Sequence, residues 1–321
     1  MRQAAGRLLL VVLLVLCGAR AAPGQEAAAN VVHLGLLGEA PGPLLAGLRD
    51  GLDRLGYVEG RNIKLETRFA RGQPDQYPPL AKELVARHPD VLLAIGTPAA
   101  IALQHATRDR PIVMMLVGDP VGEGLVASLE HPGGNITGFV NANAELEPKR
   151  LELLKEIVPG LNRVATLRDP VNPGSGVDYL QTAAAAHGVS IAVVDLGAGG
   201  QIDFAAVLAA KPQALFGLSN LALYNQYDRV LGFLAKNRLP SAVADPGFVT
   251  RGGLLSYATD YHHLGAAAAD YVERIVKGAK PGELPVQQPT KFELVINLKT
   301  ADALGLTVPP ELLERADDVI E

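Results

Sequence analysis

The chain has 321 residues and a net charge of −5 at pH 7, and its one cysteine is Cys17. This length is sufficient for two sizeable hydrophobic cores. The acidic balance, with no basic run after residue 21, argues against a nucleic-acid partner and against an anionic membrane surface.

The first 21 residues predict a secretory signal peptide. Arg2 and Arg7 precede an apolar segment, Leu8–Cys17, and Ala19-Arg20-Ala21 places small residues at a cleavage site. Cleavage after Ala21 leaves 300 residues with a net charge of −8, because three arginines are removed, and no cysteine. We therefore predict a soluble, periplasmic protein without disulfides. Lipidation of Cys17 is the alternative, although Leu16 is larger than the residue usual before a lipidated cysteine.

Strand and helix patterns alternate through the first part of the mature chain. The predicted strands are Val31–Gly38, Ile63–Ala70, Val91–Ile95, Ile112–Val117 and Ile136–Val140. The predicted helices are Pro43–Leu55, Pro78–Arg87 and Pro98–Thr107. Continuous apolar strands separated by helices indicate a parallel sheet that is covered on both faces. This order is typical of a doubly wound α/β layer.

A similar series follows a first crossing expected near Val140–Asn143. The predicted helices are Leu146–Val158, Val177–His187, Ile202–Ala210 and Leu221–Asn237, and the predicted strands are Arg163–Arg168, Ser190–Leu196, Ala214–Ser219, Ser241–Ala244 and Leu254–Thr259. The pattern therefore predicts a second α/β lobe.

The last third of the chain is predicted to add elements to both lobes. Its predicted elements are a helix at Leu264–Lys277, an extended Pro281–Pro289, a strand at Phe292–Asn297, a helix at Lys299–Leu304 and a solvated tail at Asp317-Asp318. We predict two Rossmann-like doubly wound lobes joined by a multi-strand hinge. Residues 30–141 with about 260–289 form the first lobe, and residues 142–259 with about 290–321 form the second. Such a hinge suits closure over a ligand.

The strand ends at Gly96-Thr97 and Gly118-Asp119 are the first candidates for a binding site, because ligands of parallel sheets bind beyond the carboxyl ends of strands. Thr97 is predicted to cap the helix that begins at Pro98, where free amides attract an anion. Asp119 offers a carboxylate to a cation. A zwitterion such as an amino acid would satisfy both. The alternative is that both are ordinary helix caps.

Motifs for cofactors and catalysis are weak or missing. Residues 122–127 match G-x-G-x-x-A, but they lie outside the first βαβ unit, and Asp119 and Glu123 would repel a pyrophosphate. The adjacent His262 and His263 diverge on a helix, so they do not suggest a metal site. There is no P-loop lysine motif and no G-x-S-x-G elbow. We therefore expect no cofactor, no metal and no enzymatic activity.

Several runs resemble one family. These runs are LGYVEGRNI, GTPAA, VGDPVGEGLVASLEHPGGNITG, KRLELLKEIVPG, RGGLLSY and the block KGAKPGELPVQQPTKFELVINLKTADALGLTVPPELLERADDVIE. They are similar to the substrate-binding proteins of ABC transporters, whose known members include binders of aromatic amino acids. The resemblance implies a type I periplasmic-binding fold and delivery of a small solute to a membrane permease. It places Gly96-Thr97-Pro98 and Asp119-Pro120 at cleft-facing strand ends.

Other candidates follow predicted strands, where a turn or cap role is the competing interpretation. They are Glu39 in the first lobe and Asn172, Ser219, Asn220 and Asp245 in the second. Tyr224, Tyr257 and Phe139 are candidate aromatic walls, with core packing as the alternative. The leading hypothesis is a monomeric solute-binding component of an uptake transporter. One alternative is a ligand sensor docking on a membrane receptor, which a neighbouring receptor gene would favour. The other is a hydrolase, which an activity screen would test.

Overall fold

A computed structural model of the protein describes residues 31–142, 144–170, 176–218, 221–224 and 226–321. The predicted signal peptide with Cys17, and the candidate residues Asn172, Ser219 and Asn220, lie outside the described residues. Within the described part of the chain, no helix is long and apolar enough to cross a membrane.

The first sheet is entirely parallel, with strand order β2-β1-β3-β4-β5. Its strands are β1 (Val32–Gly38), β2 (Ile63–Phe69), β3 (Val91–Ile95), β4 (Ile112–Val117) and β5 (Ile136–Val140). Its helices are α1 (Pro43–Arg54), α2 (Tyr77–Val85) and α3 (Thr97–Ala106). The central strands are buried because α1 covers one face, and α2 and α3 cover the other.

The second sheet has the order β12-β11-β10-β9-β8-β6-β7. Its strands are β6 (Arg163–Arg168), β7 (Ser190–Asp195), β8 (Ala214–Gly217), β9 (Ser241–Val243), β10 (Leu255–Thr259), β11 (Phe292–Asn297) and β12 (Asp318–Ile320). The helices are α4 (Glu147–Ile157), α5 (Val177–Ala186), α6 (Phe204–Ala209), α7 (Leu221–Tyr224), α8 (Tyr227–Asn237), α9 (Pro246–Thr250), α10 (Tyr261–Val276), α11 (Leu298–Leu304) and α12 (Pro310–Leu313). All of these helices except α10 pack on this sheet or its edge. Only β11 pairs antiparallel, with β10.

Three segments of the described chain connect the two sheets: residues 141–142 and 144–146 after β5, Asp260 after β10, and 287–291 before β11. They are tied to one another by backbone hydrogen bonds. The amide of Val140 donates to the carbonyl of Gln287 at 2.9 Å, and the amide of Asp260 donates to the carbonyl of Lys291 at 3.0 Å. The last segment therefore lies between the other two and pairs with each.

Helix α10 follows the second crossing and packs on α1 in the first lobe. The two helices cross with their backbones in contact, because glycines face the interface. A methyl group at Gly47 would overlap the carbonyl of His262, and one at Gly265 would overlap the carbonyl of Leu44. At Gly51, an added Cβ would lie 2.8 Å from the carbonyl oxygen of Ala266. These small residues determine how closely α10 approaches the lobe.

Three sequence predictions differ from the structure. Gly96, not Thr97, is the N-cap of α3; Gly96 has a φ of 86°, and Thr97 is already helical, so its hydroxyl makes no capping bond. The helix predicted over residues 221–237 is divided into α7 and α8, because Gln226 has a φ of −123°. The predicted tail is wrong: β12 pairs with β11, and Asp317 accepts a hydrogen bond from the amide of Leu294.

Sequence reasoning also missed two short helices. Asp245 accepts a hydrogen bond from the amide of Gly247 and begins α9, while Pro310 begins α12. Both helices are a single turn or little more, so they carry almost no hydrophobic periodicity. They form because their apolar residues, Phe248 and Leu312, are completely buried in the second lobe.

Candidate functional site

The carboxyl edges of the two sheets face each other. Strands β5 and β10 both enter crossing segments at their carboxyl ends, and each runs parallel to its preceding neighbour, β4 or β9. The carboxyl ends of the neighbouring strands therefore lie on the same side as the hinge. The hydroxyl of Tyr261, at the start of α10, donates to the carbonyl of Ala244 beyond β9 at 3.4 Å. This bond joins a first-lobe helix to the second lobe beside the cleft.

In the first lobe, the crevice lies between β1 and β3, because α1 and α3 depart to opposite faces of the sheet. Glu39 and Gly96 stand on its two sides. The Glu39 carboxylate accepts hydrogen bonds from the amide of Gly72 and from the Tyr77 hydroxyl, the latter at 3.0 Å. Burial and this carboxylate raise the pKa of Tyr77. Glu39 thus holds the loop after β2, and a ligand-binding role for it stays a prediction.

The start of α3 forms the other side of this crevice. Thr97 is half-buried and Pro98 is exposed. The first turn of a helix carries backbone amides without partners inside the helix, and the helix dipole places partial positive charge there. Since Gly96 supplies no side chain to accept from these amides, this corner suits an anionic group of a ligand.

The candidates after β4 shape a turn. Asp119 is exposed, and its Oδ1 accepts from the amide of Gly122 at 2.8 Å. The buried Pro120 accepts at its carbonyl from the amides of Leu125 and Val126, at 2.9 and 3.2 Å. The cap interpretation of Asp119 therefore has a structural basis, and a ligand-binding role for its exposed carboxylate stays a prediction.

In the second lobe, strands β6 to β10 repeat the order of the first sheet, with the crevice between β6 and β8. Asp245, which follows β9, lies in this edge and has two partners. Its Oδ1 accepts from the amide of Gly247 at 2.9 Å, and its Oδ2 accepts from the Tyr227 hydroxyl at 2.6 Å. Asp245 is thus both a helix cap and the centre of a tyrosine cluster.

The tyrosine cluster consists of Tyr224, Tyr227 and Tyr261. The rings of Tyr224 and Tyr227 stack with centroids 5.0 Å apart. Tyr227 is 5% exposed, whereas 44% of Tyr224 is exposed. Burial of its hydroxyl near Tyr261 and Asp245 raises the pKa of Tyr224 well above its ordinary value, and burial also raises that of Tyr227. Of the three tyrosines, only Tyr224 was predicted as a wall of the cleft. Tyr227 and Tyr261 belong to other helices, α8 and α10, so the sequence did not indicate that the three would meet.

The other two predicted walls have different environments. Phe139 is 2% exposed and packs against Tyr271 with centroids 4.9 Å apart, so the core-packing alternative describes it. Tyr257 is half-buried and packs against the core beneath α4, with Phe292 at 6.1 Å. An exposed aromatic surface therefore remains at Tyr224.

Glu293 was missed by sequence reasoning. It is the second residue of β11, opposite Ala258 of β10, and lies next to the hinge. Burial raises its pKa to about 7, with further increases from the negative charges of Asp260, Asp317 and Asp245. No local pattern marks this residue, since the effect arises from burial and from carboxylates that are distant or only brought close by the fold.

The raised pKa of Glu293 predicts that the stability of the protein depends on pH. Its pKa is raised in the folded state from an ordinary 4.5 to about 7, so its stabilising contribution is complete below pH 4.5 and is lost as the pH rises through 7. Glu293→Gln should therefore be more stable than the parent at pH 8, by roughly 1 kcal/mol because solvent screens this half-buried group. Urea denaturation at pH 5 and pH 8 measures the difference. An equal difference at both pH values would contradict this assignment.

Metal binding finds no support among the described residues, where no group of three or more His, Cys, Asp or Glu could hold an ion. His262 is exposed and pairs instead with Asp50 of α1 at 2.8 Å.

The comparisons with known proteins agree with this geometry. The model of the family described as ABC transporter substrate binding protein matches residues 37–320. A tyrosine-binding protein of Clostridioides difficile is 29% identical over 263 residues, which cover 81% of this chain and 76% of that protein.

Two solved structures extend the comparison. A conserved domain protein of Vibrio cholerae is 32% identical, with a TM-score of 0.79 over 90% of this chain and 100% of that one. The ABC domain of Streptococcus pneumoniae in complex with L-Trp is 28% identical, with a TM-score of 0.82 over 91% of this chain and 100% of that one.

The fold and its hinged cleft define a two-lobed solute-binding protein of the type I periplasmic-binding class. The chain belongs to the ABC transporter substrate-binding protein family. It is the extracytoplasmic solute-binding component of an ABC uptake transporter, as the sequence predicted, and the receptor-docking sensor is not favoured.

Proposed function

We propose that the solute is an α-amino acid with an aromatic side chain. The observation that carries this proposal is the exposed ring of Tyr224, stacked on Tyr227 beside the carboxylate of Asp245. A flat apolar ring next to acidic groups fits a ligand that combines an aromatic side chain with an ammonium group. The names of two similar proteins, one tyrosine-binding and one solved with L-Trp, support the same class.

The charges around the cleft support a zwitterion. The first turn of α3, with the Thr97 hydroxyl, is suited to the ligand carboxylate. Asp119, Asp245 and Glu293 offer carboxylates to the ammonium group, and a cation would offset the negative charges of Asp260 and Asp317 near Glu293. When the lobes close, water is excluded and these charge-assisted bonds become stronger.

The remaining assignments concern the cell. We propose that residues 1–21 direct export and are cleaved after Ala21, and that the mature protein is a periplasmic monomer that delivers its solute to a membrane permease without catalysing a reaction. Its crossing segments support a closure that would present both lobes to the permease together. Intact-mass analysis of the exported protein tests the cleavage, since a form beginning at Cys17 with added lipid would contradict it.

Calorimetry with purified protein tests the ligand. We expect L-Trp, L-Tyr or L-Phe to bind, and saturation at about 100 times Kd to stabilise the protein by roughly 2.7 kcal/mol. Tryptamine lacks the carboxylate and indole-3-propionate lacks the ammonium group, so each should bind more weakly by about 2–5 kcal/mol. L-Leu tests the aromatic preference. Equal binding of L-Leu, or of either analogue with one charge, would contradict the proposal.

A further inference from the structure

A buried ion pair lies at the point where the first crossing enters the second lobe. Glu147 is the first residue of α4, and its carboxylate accepts from the guanidinium of Arg150. Their side chains are 1% and 0% exposed. Burial raises the pKa of Glu147 to about 7 against the attraction of Arg150. Burying two charges is costly, and an apolar pair of similar volume often stabilises a protein as well. Core stability alone therefore does not explain this pair.

The remaining donors of Arg150 point to another element. Its Nε and Nη2 both donate to the carbonyl oxygen of Tyr257 in β10, at 3.0 and 2.9 Å. Tyr257 precedes Asp260, the second crossing, by three residues. The guanidinium thus joins the helix that follows the first crossing to the strand that enters the second.

With this connection, each of the three crossings is linked to the other two. The third crossing is tied to the first by Gln287, whose amide donates to the carbonyl of Gly138 at 2.8 Å. It is tied to the second by Lys291, whose Nζ lies 3.0 Å from the Asp260 carboxylate. Arg150 links the helix that follows the first crossing to the strand that enters the second. All three segments are then fixed relative to one another where they meet the second lobe.

We propose that Glu147 and Arg150 anchor the hinge and determine the distribution between open and closed lobes. The carboxylate orients the guanidinium. The guanidinium fixes the angle between α4, which follows the first crossing, and β10, which enters the second. Gly176 lies against the pair: a Cβ there would lie 3.3 Å from Oε1 of Glu147, so a side chain at this position would crowd the carboxylate. The proposal extends the proposed function, because it requires lobes that close on a ligand, but its test needs no ligand.

The test measures the distance between the lobes in the ligand-free protein. Spin labels at Lys82→Cys in α2 and Lys236→Cys in α8, both exposed, report this distance by double electron–electron resonance. The double variant Glu147→Leu with Arg150→Met removes the link and keeps apolar volume. We expect its distance distribution to shift or broaden relative to the parent.

Matched variants make the result specific. Lys149 and Glu152 form an exposed ion pair at the same spacing on α4, at 2.7 Å, so Lys149→Gln with Glu152→Gln should leave the distribution unchanged. Arg150→Lys keeps the charge but cannot donate a forked pair of hydrogen bonds to the Tyr257 carbonyl. Its distance distribution tests the proposal if the apolar variant does not fold. A folded variant with the parental distribution, or an equal change in the Lys149 control, would overturn the proposal. Failure of every amino acid to bind would refute the proposed ligand and leave this distance measurement intact.

Discussion

Asp119→Asn is expected to weaken binding of the aromatic amino acid by about 2–5 kcal/mol, because the ammonium group would lose a buried ionic partner when the lobes close. Asn keeps an oxygen at the position that accepts from the amide of Gly122, so the turn after β4 should stay intact. Calorimetry with L-Trp measures the loss, and circular dichroism verifies the fold.

Comparison with Asp119→Ala separates the two roles of this residue. Ala removes both the charge and the turn acceptor, so equal losses for Asn and Ala assign the effect to charge. A loss for Ala alone would mean that Asp119 is only a cap. Glu293→Gln and Asp245→Asn in the same assay test the other two candidate carboxylates. Unchanged affinity for Asp119→Asn with a large loss for one of them would move the ammonium site to the second lobe.

Gly47→Ala is expected to destabilise the protein by at least about 1–3 kcal/mol, because the added methyl overlaps the backbone of α10 and the two helices must separate. The intrinsic effect of this change has the opposite sign, since Ala favours a helix interior by about 0.5–1 kcal/mol over Gly. Urea denaturation followed by circular dichroism measures the sum of the two effects.

Gly232 provides the matched control for this change. It lies inside α8, is exposed, and a Cβ there would meet nothing within 4 Å. Gly232→Ala should therefore stabilise the protein by about 0.5–1 kcal/mol, so that two identical substitutions have opposite effects. Destabilisation by both would indicate that close packing of α1 on α10 is not the cause.

The alternation of strands and helices was largely predictable from local patterns. Strands buried on both faces have continuous apolar residues, and β3, β4, β5, β6 and β11 begin and end where the sequence predicted. Errors occurred where a neighbour in space determines the backbone. Gln226 leaves the helical conformation between α7 and α8, next to Tyr227, whose hydroxyl bonds to Asp245. Residue 245 is 18 positions away in sequence, so no local pattern contains this contact.

The candidate site was predictable only in part, for the same reason. Strand ends and helix starts can be recognised locally, so Gly96, Asp119 and Asp245 were found. Which of them lie at the hinge depends on strand order. The raised pKa of Glu293 depends first on burial and then on charges at 245, 260 and 317, which only the fold brings together.

The sequence by itself determined the class of fold, two α/β lobes with crossings between them, because hydrophobic periodicity and turn residues act over a few positions. The family resemblance added the transport function. The tertiary structure alone decided how closely α1 and α10 approach, which tyrosine is exposed, and that Arg150 joins two crossings. These features rest on contacts between residues separated by about 20 to more than 200 positions, where packing and burial, rather than local preference, control the energy.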